Sequence, residues 1–361
     1  MTARKSGLYN QREDAIMVKV GLVGIGAMGR GHYDNYIRLM DEGFPVKLVA
    51  ICDIDPDRLK GKGPGGIIDT GIVPIDADRF TCYTDYDTML ATEELDYVDI
   101  VLPTYLHAEA AIKALDKGLH VLCEKPMARS VGECGLMIEA SRRNDRKLMI
   151  GQCLRFWPEY EYLKACVEDD RYGKVMSGYF FRGGGTPKWS YENWLLNKAK
   201  SGGCLLDQHI HDVDTINWLF GMPEAVSTLA RVVVPGSGYD AVSTNYRYPD
   251  GKVINAQDDW TLNGEFGFTM QYRVNFESGN LLYGSDGLRV YPNEGAAFVP
   301  ELSKNQGYYY EIRYFIQAIM DGTAIVTAAP ESTMDTIRIA EAEELSADRR
   351  GEMVLLSAQP A

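Results

Sequence analysis

The chain has 361 residues, 45% hydrophobic and 24% charged, with a formal net charge of −14. That length suits two domains at about 150 residues each, and the acidic balance argues against nucleic acid or an anionic membrane as partner. No apolar run reaches the roughly 18 residues of a membrane span, and seven scattered cysteines with no CxxC fit reduced, buried thiols in a cytoplasm.

Residues 1–17 are polar and charged, lack a signal-peptide core and read as a loose N-terminal extension. The most informative stretch follows. Residues 18–23 are a short, mostly apolar run suited to a buried strand. Gly24-Ile25-Gly26-Ala27-Met28-Gly29 comes next, a helix is predicted over 30–40, a second buried strand over 47–52, and Asp53 closes it. Gly24 permits the tight turn, Gly26 lets the backbone approach a pyrophosphate, and Gly29 lets the helix pack close to the strand. The pyrophosphate would sit on the open N–H groups at the helix start. Asp53 lies where an acid accepts from the ribose hydroxyls of NAD. It would repel a 2′-phosphate, which favours NAD over NADP, although Arg58 and Lys60 are close in sequence.

Further along, Pro56 marks a helix start and residues 61–78 form a long Gly/Pro/Asp-rich loop. Strands are predicted at 81–83, 98–102, 120–123 and 148–153, and helices at 85–91, 108–117 and 131–144. This alternation means a parallel, doubly wound sheet over residues 18–150.

The pattern changes after Cys153. A helix is predicted over 155–168, a strand over 175–182, a Gly/Trp-rich stretch over 183–203 and a helix over 205–220. Residues 225–291 are strand-like, with turns at Pro249-Asp250-Gly251, Asn263-Gly264 and Ser278-Gly279, which suggests an antiparallel meander. Alternation of Phe266, Phe268, Tyr272 and Phe276 suggests one covered face; a second apolar face would suit a subunit interface. Helices over 308–320 and 332–347 finish the chain. Residues 151–361 are assigned to a second, α+β domain, whose final helix can pack back on the first.

Two stretches could carry chemistry. Glu124-Lys125-Pro126 sits at the carboxyl end of a predicted strand, where ligands bind in open α/β sheets. Lys125 could stabilise developing alkoxide charge; a solvated surface lysine is the alternative. In Asp207-Gln208-His209-Ile210-His211-Asp212-Val213-Asp214, helical spacing puts Asp207, His211 and Asp214 on one face and turns His209 elsewhere. An Asp207–His211 pair suits proton transfer. A metal site of His211, Asp207 and Asp214 and a structural His–Asp pair are the rivals; no metal is expected, because no metal-ligand spacing supports one. His107 reads as a residue opening a helix, and Thr104 beside it could touch the cofactor. Trp157, Trp189 and Trp194 could stack on a sugar face.

Taken in order, Val-Gly-Ile-Gly-Ala-Met-Gly, Ala-Ile-Cys-Asp, Pro-Thr-Tyr-Leu-His, Glu-Lys-Pro, Leu-Arg-Phe-Trp-Pro and Gly-Gly-Cys-Leu-Leu-Asp-Gln-His-Ile-His-Asp-Val-Asp resemble the glucose-fructose oxidoreductase / inositol dehydrogenase / MocA (Gfo/Idh/MocA) family. The resemblance spans residues 18–354. It implies an N-terminal Rossmann domain, a C-terminal α+β domain with a large, mainly antiparallel open sheet, and a homodimer or homotetramer built through that sheet. It implies hydride transfer between NAD and a secondary hydroxyl of a sugar or cyclitol. The implied catalytic set is Lys125, Asp207 and His211. Gly24, Gly26, Ala27, Met28, Gly29, Asp53, Thr104, His107, Glu124 and Lys125 are implied on the cofactor side, and Arg155, Trp157 and Asp214 on the substrate side. Two alternatives share the fold: an NAD-dependent, redox-neutral glycosidase or lyase, and a non-catalytic NAD- or sugar-binding protein. Thr104-Tyr105 stands where many relatives have Asn, and the 61–78 loop is longer than expected.

Overall fold

The computed structural model of the chain describes residues 17–61, 75–76 and 79–356. The proposed extension, apart from Met17, and most of the 61–78 loop lie outside them.

The first layer alternates strand and helix: β1 (Val18–Val23), α1 (Ala27–Asp41), β2 (Val46–Cys52), α2 (Pro56–Leu59), β3 (Thr81–Tyr83), α3 (Tyr86–Thr92), β4 (Tyr97–Ile100), α4 (His107–Asp116), β5 (His120–Glu124), α5 (Val131–Arg143) and β6 (Leu148–Gly151). The six strands are parallel in the order β3-β2-β1-β4-β5-β6. Chain order reverses between β1 and β4, which opens a crevice at their carboxyl ends. Local chemistry starts three of the helices. Asp55, Asp85 and Ser130 accept from the Asp57, Thr88 and Glu133 N–H groups at the starts of α2, α3 and α5. α1 has no side-chain cap, so its first N–H groups stay open to a ligand.

The second layer follows. It contains α6 (Pro158–Glu168), β7 (Val175–Gly183), α7 (Lys198–Ser201), α8 (Gly203–Asp207), α9 (Ile210–Phe220), β8 (Ala225–Arg231), β9 (Ala241–Arg247), β10 (Val253–Asp259), β11 (Thr269–Phe276), β12 (Gly279–Gly284), β13 (Gly287–Pro292), α10 (Gly307–Asp321), α11 (Pro330–Asp348) and β14 (Val354–Leu355). Its sheet runs β13-β12-β11-β7-β10-β9-β8-β14. It is mostly antiparallel, with one parallel pair between β7 and β10.

Three expectations are corrected here. The meander is not continuous, because β7 separates β10 from β11; Asn263-Gly264 therefore joins strands that are not neighbours and makes no hairpin. Phe266 and Phe268 precede β11 and are exposed, while Tyr272 and Phe276 within it are buried. The expected 205–220 helix is two, α8 and α9, separated at Gln208 and His209.

The inner sheet face packs Phe180, Tyr246, Ile254, Tyr272 and Val274 against Tyr160 of α6 and Val213 and Ile216 of α9. Each such side chain contributes about 1.5–3 kcal/mol on burial. α11 ties the two layers together. Its Ile337 and Ala340 join the core under the first sheet, and its Ile339 and Ala342 join the core under the second. α10 places Ile312, Phe315 and Ile316 against Val20, Leu22 and Tyr97. All seven cysteines are free thiols, six buried and Cys82 half-buried. Among the described residues no helix is long and apolar enough to cross a membrane.

Candidate active site

The cofactor side is built by the turn between β1 and α1. Gly24 has φ +96°, and a Cβ there would fall on the Val101 carbonyl. At Gly29 it would fall on the Gly24 carbonyl. Gly26 differs: a Cβ there would meet only the Arg58 guanidinium, at 3.7 Å. Gly26 therefore borders open space at the uncapped start of α1, beside the N–H groups of Ala27, Met28 and Gly29. These residues fit a pyrophosphate, because open backbone N–H groups border the approach and the nearest side chain is the Arg58 guanidinium.

Asp53 is 6% exposed and already braced. Its Oδ2 accepts from the Ile25 N–H at 2.7 Å and its Oδ1 from the Asp55 N–H at 2.8 Å. The acid thus fixes the glycine turn. Arg58 was no part of the expected site. Its guanidinium stands 3.8 Å from Asp53 Oδ2 and 5.1 Å from the ring centre of Tyr191. Its closeness to Asp53 in sequence was the only available signal; nothing local pointed to Tyr191, which comes from the second layer.

The turn after β5 carries Lys125. Its Nζ donates to the Asp207 main-chain carbonyl at 2.8 Å and lies 3.7 Å from Asp207 Oδ1. Asp207 ends α8 and His211 lies in the first turn of α9, so they do not share one continuous helix face. Among the described residues no hydrogen bond joins them, contrary to the expected pair. His211 instead keeps a buried Nδ1 without a partner. Burial, then the charges of Lys125 and Arg182, hold its imidazole well below the ordinary pKa. Arg182, a sequence-distant residue on β7, is the second cation that sequence reasoning missed.

His209, in the break between α8 and α9, is directed to other partners. Its Nδ1 meets Asp258 Oδ2 at 3.1 Å, and its Nε2 stands 3.4 Å from Glu343 Oε2. Burial alone would lower its pKa, but Glu343 and Asp258 lift it to about 10.

Several expected contacts have other tasks. Arg155 and Asp214, expected at the substrate, are each 1% exposed and bound to one another through 2.8 and 2.7 Å hydrogen bonds. Thr327 and Thr336 occupy further positions around the pair, at 2.9 and 2.8 Å. At 1% exposure the pair is closed off from solvent and reads as a structural ion pair, contrary to the expected substrate role. Trp157 is half-buried with its ring edge-on to Tyr308 and close to Gly307, a packing role. His107 is buried with Nδ1 2.8 Å from the Pro126 carbonyl and Nε2 2.7 Å from the Leu102 carbonyl. It ties the end of β4 to the Lys125 turn and has no nitrogen left for a cofactor. Glu124 turns its carboxylate inward, accepting from the Lys125 N–H at 3.0 Å and meeting His32 Nε2 at 3.0 Å. Thr104 is buried at the crevice edge.

Known proteins resemble this chain in sequence and fold. Residues 18–152 match the family profile described as "Oxidoreductase family, NAD-binding Rossmann fold", and residues 160–282 that described as "GFO/IDH/MocA C-terminal domain". A 2,7-anhydro-N-acetylneuraminate hydratase of Mediterraneibacter gnavus is 30% identical over 64% of this chain and 59% of its own length. A levoglucosan dehydrogenase of Pseudarthrobacter phenanthrenivorans is 28% identical over 63% and 58%. The chain thus spans about three fifths of the length of these relatives. An inositol 2-dehydrogenase of Paenarthrobacter aurescens is 24% identical over 84% and 85%. The solved levoglucosan dehydrogenase in complex with NADH and levoglucosan shares the fold, with a TM-score of 0.79 and 22% identity over 94% of this chain and 99% of that one. With an NAD-binding Rossmann layer, the matching C-terminal domain and a shared fold across nearly the whole chain, the protein belongs to the Gfo/Idh/MocA oxidoreductase family.

Proposed function

We propose that the protein is an NAD-dependent dehydrogenase that oxidises a secondary hydroxyl of a sugar or cyclitol. The observation that carries this reading is the Lys125 ammonium held at Asp207 beside His211, whose buried Nδ1 has no hydrogen-bond partner among the described residues. Bound NAD supplies the hydride acceptor. Gly24, Gly26, Ala27, Met28, Gly29, Asp53 and Thr104 would hold it, with residues 18–150 as its domain and residues 151–361 as the substrate and assembly domain. Lys125 donates a hydrogen bond to the reacting oxygen and offsets the charge that develops there. His211, kept neutral by its surroundings, accepts the hydroxyl proton. The carbon gives up hydride, the oxygen gives up a proton, and a ketone, NADH and one proton result. Asp207 holds Lys125 in place through its main-chain carbonyl and its nearby carboxylate.

A homodimer or homotetramer through the second sheet remains part of the proposal. The outward residues of that sheet mix Tyr179, Phe181 and Leu282 with Asn245, Asn255, Gln257 and Arg273, a composition suited to a partly polar contact.

One relative favours a second reading. The 30%-identical hydratase is named for adding water to an anhydrosugar, a reaction without net NADH. Absorbance at 340 nm with NAD and a panel of inositols, aldoses and anhydrosugars separates the two. A rise that disappears in Lys125→Ala and His211→Ala supports the dehydrogenase. A flat trace with demonstrable NAD binding sinks it, and product analysis of the anhydrosugars then tests hydration.

A further inference from the structure

Beneath the cofactor turn lies a group of side chains that this reaction does not use. His32 on α1, Glu124 at the end of β5 and Glu311 on α10 are 0%, 5% and 0% exposed. One ligand atom of each lies within 4.8 Å of the other two. Three remote segments thus place an imidazole and two carboxylates around one point.

Glu311 makes this group unusual. Both of its carboxylate oxygens are buried and neither has a hydrogen-bond partner among the described residues. A buried polar group left unpaired costs about 1–3 kcal/mol, and more when charged. A hydrogen bond between His32 and Glu124 accounts for two members of the group and leaves Glu311 unexplained.

The imidazole is oriented as a metal-binding histidine is. Its Nδ1 meets Asp99 Oδ2 at 2.8 Å, which turns Nε2 toward the two glutamates. Asp99 in turn accepts from the Tyr36 hydroxyl at 2.8 Å, and Tyr36 from Tyr97 at 2.9 Å. A carboxylate behind the distal nitrogen fixes the tautomer and raises ligand basicity at metal centres. The separation of 3.0 Å between His32 Nε2 and Glu124 Oε1 is close to the edge of an octahedron with bonds of about 2.1 Å.

Room between the carboxylates comes from Gly151. A Cβ there would lie 3.3 Å from Glu124 Oε1 and 3.3 Å from Glu311 Oε1. Both oxygens therefore face the same small space beside the end of β6.

We propose that His32, Glu124 and Glu311 bind one divalent first-row transition cation, with Asp99 as the outer carboxylate. One imidazole with two carboxylates suits ions such as Mn²⁺, Fe²⁺ or Zn²⁺ better than a soft thiolate-seeking ion. Two glutamates also match the charge of a divalent cation. The ion would be structural. It would pin α1, which carries the cofactor turn, to β5, which leads into Lys125, and to α10 of the second layer.

The test uses the full chain produced with Zn²⁺ or with Mn²⁺ in the medium, desalted and analysed for metal by mass spectrometry. Wild type is expected to retain about one equivalent per chain. Glu311→Gln should retain at least about tenfold less, and chelation should lower the melting temperature of wild type but not of that variant. X-ray absorption of the wild-type ion should show oxygen and nitrogen neighbours with imidazole scattering, which reads the site even where the variant does not fold. Background metal in wild type, equal metal in Glu311→Gln, or sulfur neighbours from the cysteines would each overturn the proposal. None of these readouts needs turnover, so they stand apart from the outcome of the dehydrogenase assay.

Discussion

The Lys125 ammonium crosses from the first layer to the second and donates to the main-chain carbonyl of Asp207 at 2.8 Å. Its position is therefore set by the end of α8, not by the β5 turn alone. That contact brings the cation beside His211, where it disfavours a second positive charge. The same lysine can thus polarise a substrate oxygen and keep the neighbouring base deprotonated.

Replacing Lys125 with Met removes the hydrogen bond to the reacting oxygen. Turnover should fall by about 10²–10³-fold, the range for one lost donor to a developing oxyanion. NADH binding, followed by fluorescence, should change little, because the glycine turn is untouched. Parallel losses of binding and turnover would assign Lys125 to the cofactor instead.

The His211 ring should titrate well below its ordinary value of 6.5. Folding lowers its pKa, so its contribution to stability is complete above about 6.5 and is lost as pH falls toward the folded value. Activity should hold through pH 6.5 and fail only at lower pH. Imidazole NMR on wild type and Lys125→Met checks the cause: removing that cation should move the titration upward. An unmoved titration would leave burial and Arg182 as the whole explanation.

His209 carries the opposite sign. Its pKa is raised to about 10 by Glu343 and Asp258 against the effect of burial. The stabilisation is complete below about 6.5 and is lost as pH rises through 10. Asp212, raised by burial to about 7, adds a loss between about pH 4 and 7 in the same direction. His209→Gln should cost about 3–5 kcal/mol near neutral pH, as for a broken buried pair. Denaturant melts of wild type and variant at pH 6.5 and 9.5 should converge at the higher value.

Two glycine substitutions separate folding from cofactor binding. Gly29→Ala drives a Cβ into the Gly24 carbonyl and should destabilise the fold by about 1–3 kcal/mol or more. Gly26→Ala meets only Arg58 at 3.7 Å, so its melting temperature should stay near wild type. NAD affinity should nonetheless drop at least about tenfold, because the methyl group occupies the approach of the pyrophosphate. Unchanged affinity in Gly26→Ala would place the dinucleotide elsewhere.

Asp214→Asn tests the reassignment of the Arg155 pair. It leaves a buried guanidinium without its carboxylate and should cost about 3–5 kcal/mol, read as a lower melting temperature. The folded enzyme should keep its KM, since both residues are buried. A raised KM at unchanged stability would return Asp214 to the substrate.

Much of the first layer was legible because its signals are local. Strand, glycine turn, helix and acid follow each other in one stretch, and Asp55, Asp85 and Ser130 cap their helices within three residues. Lys125 could be singled out because its motif ends a strand. Arg155 and Asp214, which the resemblance implied on the substrate side, form a buried pair, and residue type does not tell a substrate ligand from a buried ion pair. Burial decides that, and burial depends on what α11 brings over them through Thr336.

The sequence by itself determined the elements, the glycine turn that suits NAD, the family and the residue types available for chemistry. These follow from periodicity, capping and backbone geometry, all of which act within a few residues. Only the tertiary structure decided that β7 lies between β10 and β11, that Gln208 and His209 interrupt the helix, and that His211 is flanked by two cations. It also decided that His32, Glu124 and Glu311 converge. Those outcomes depend on strand pairing, burial and charge between residues far apart in the chain, where no local pattern carries the information.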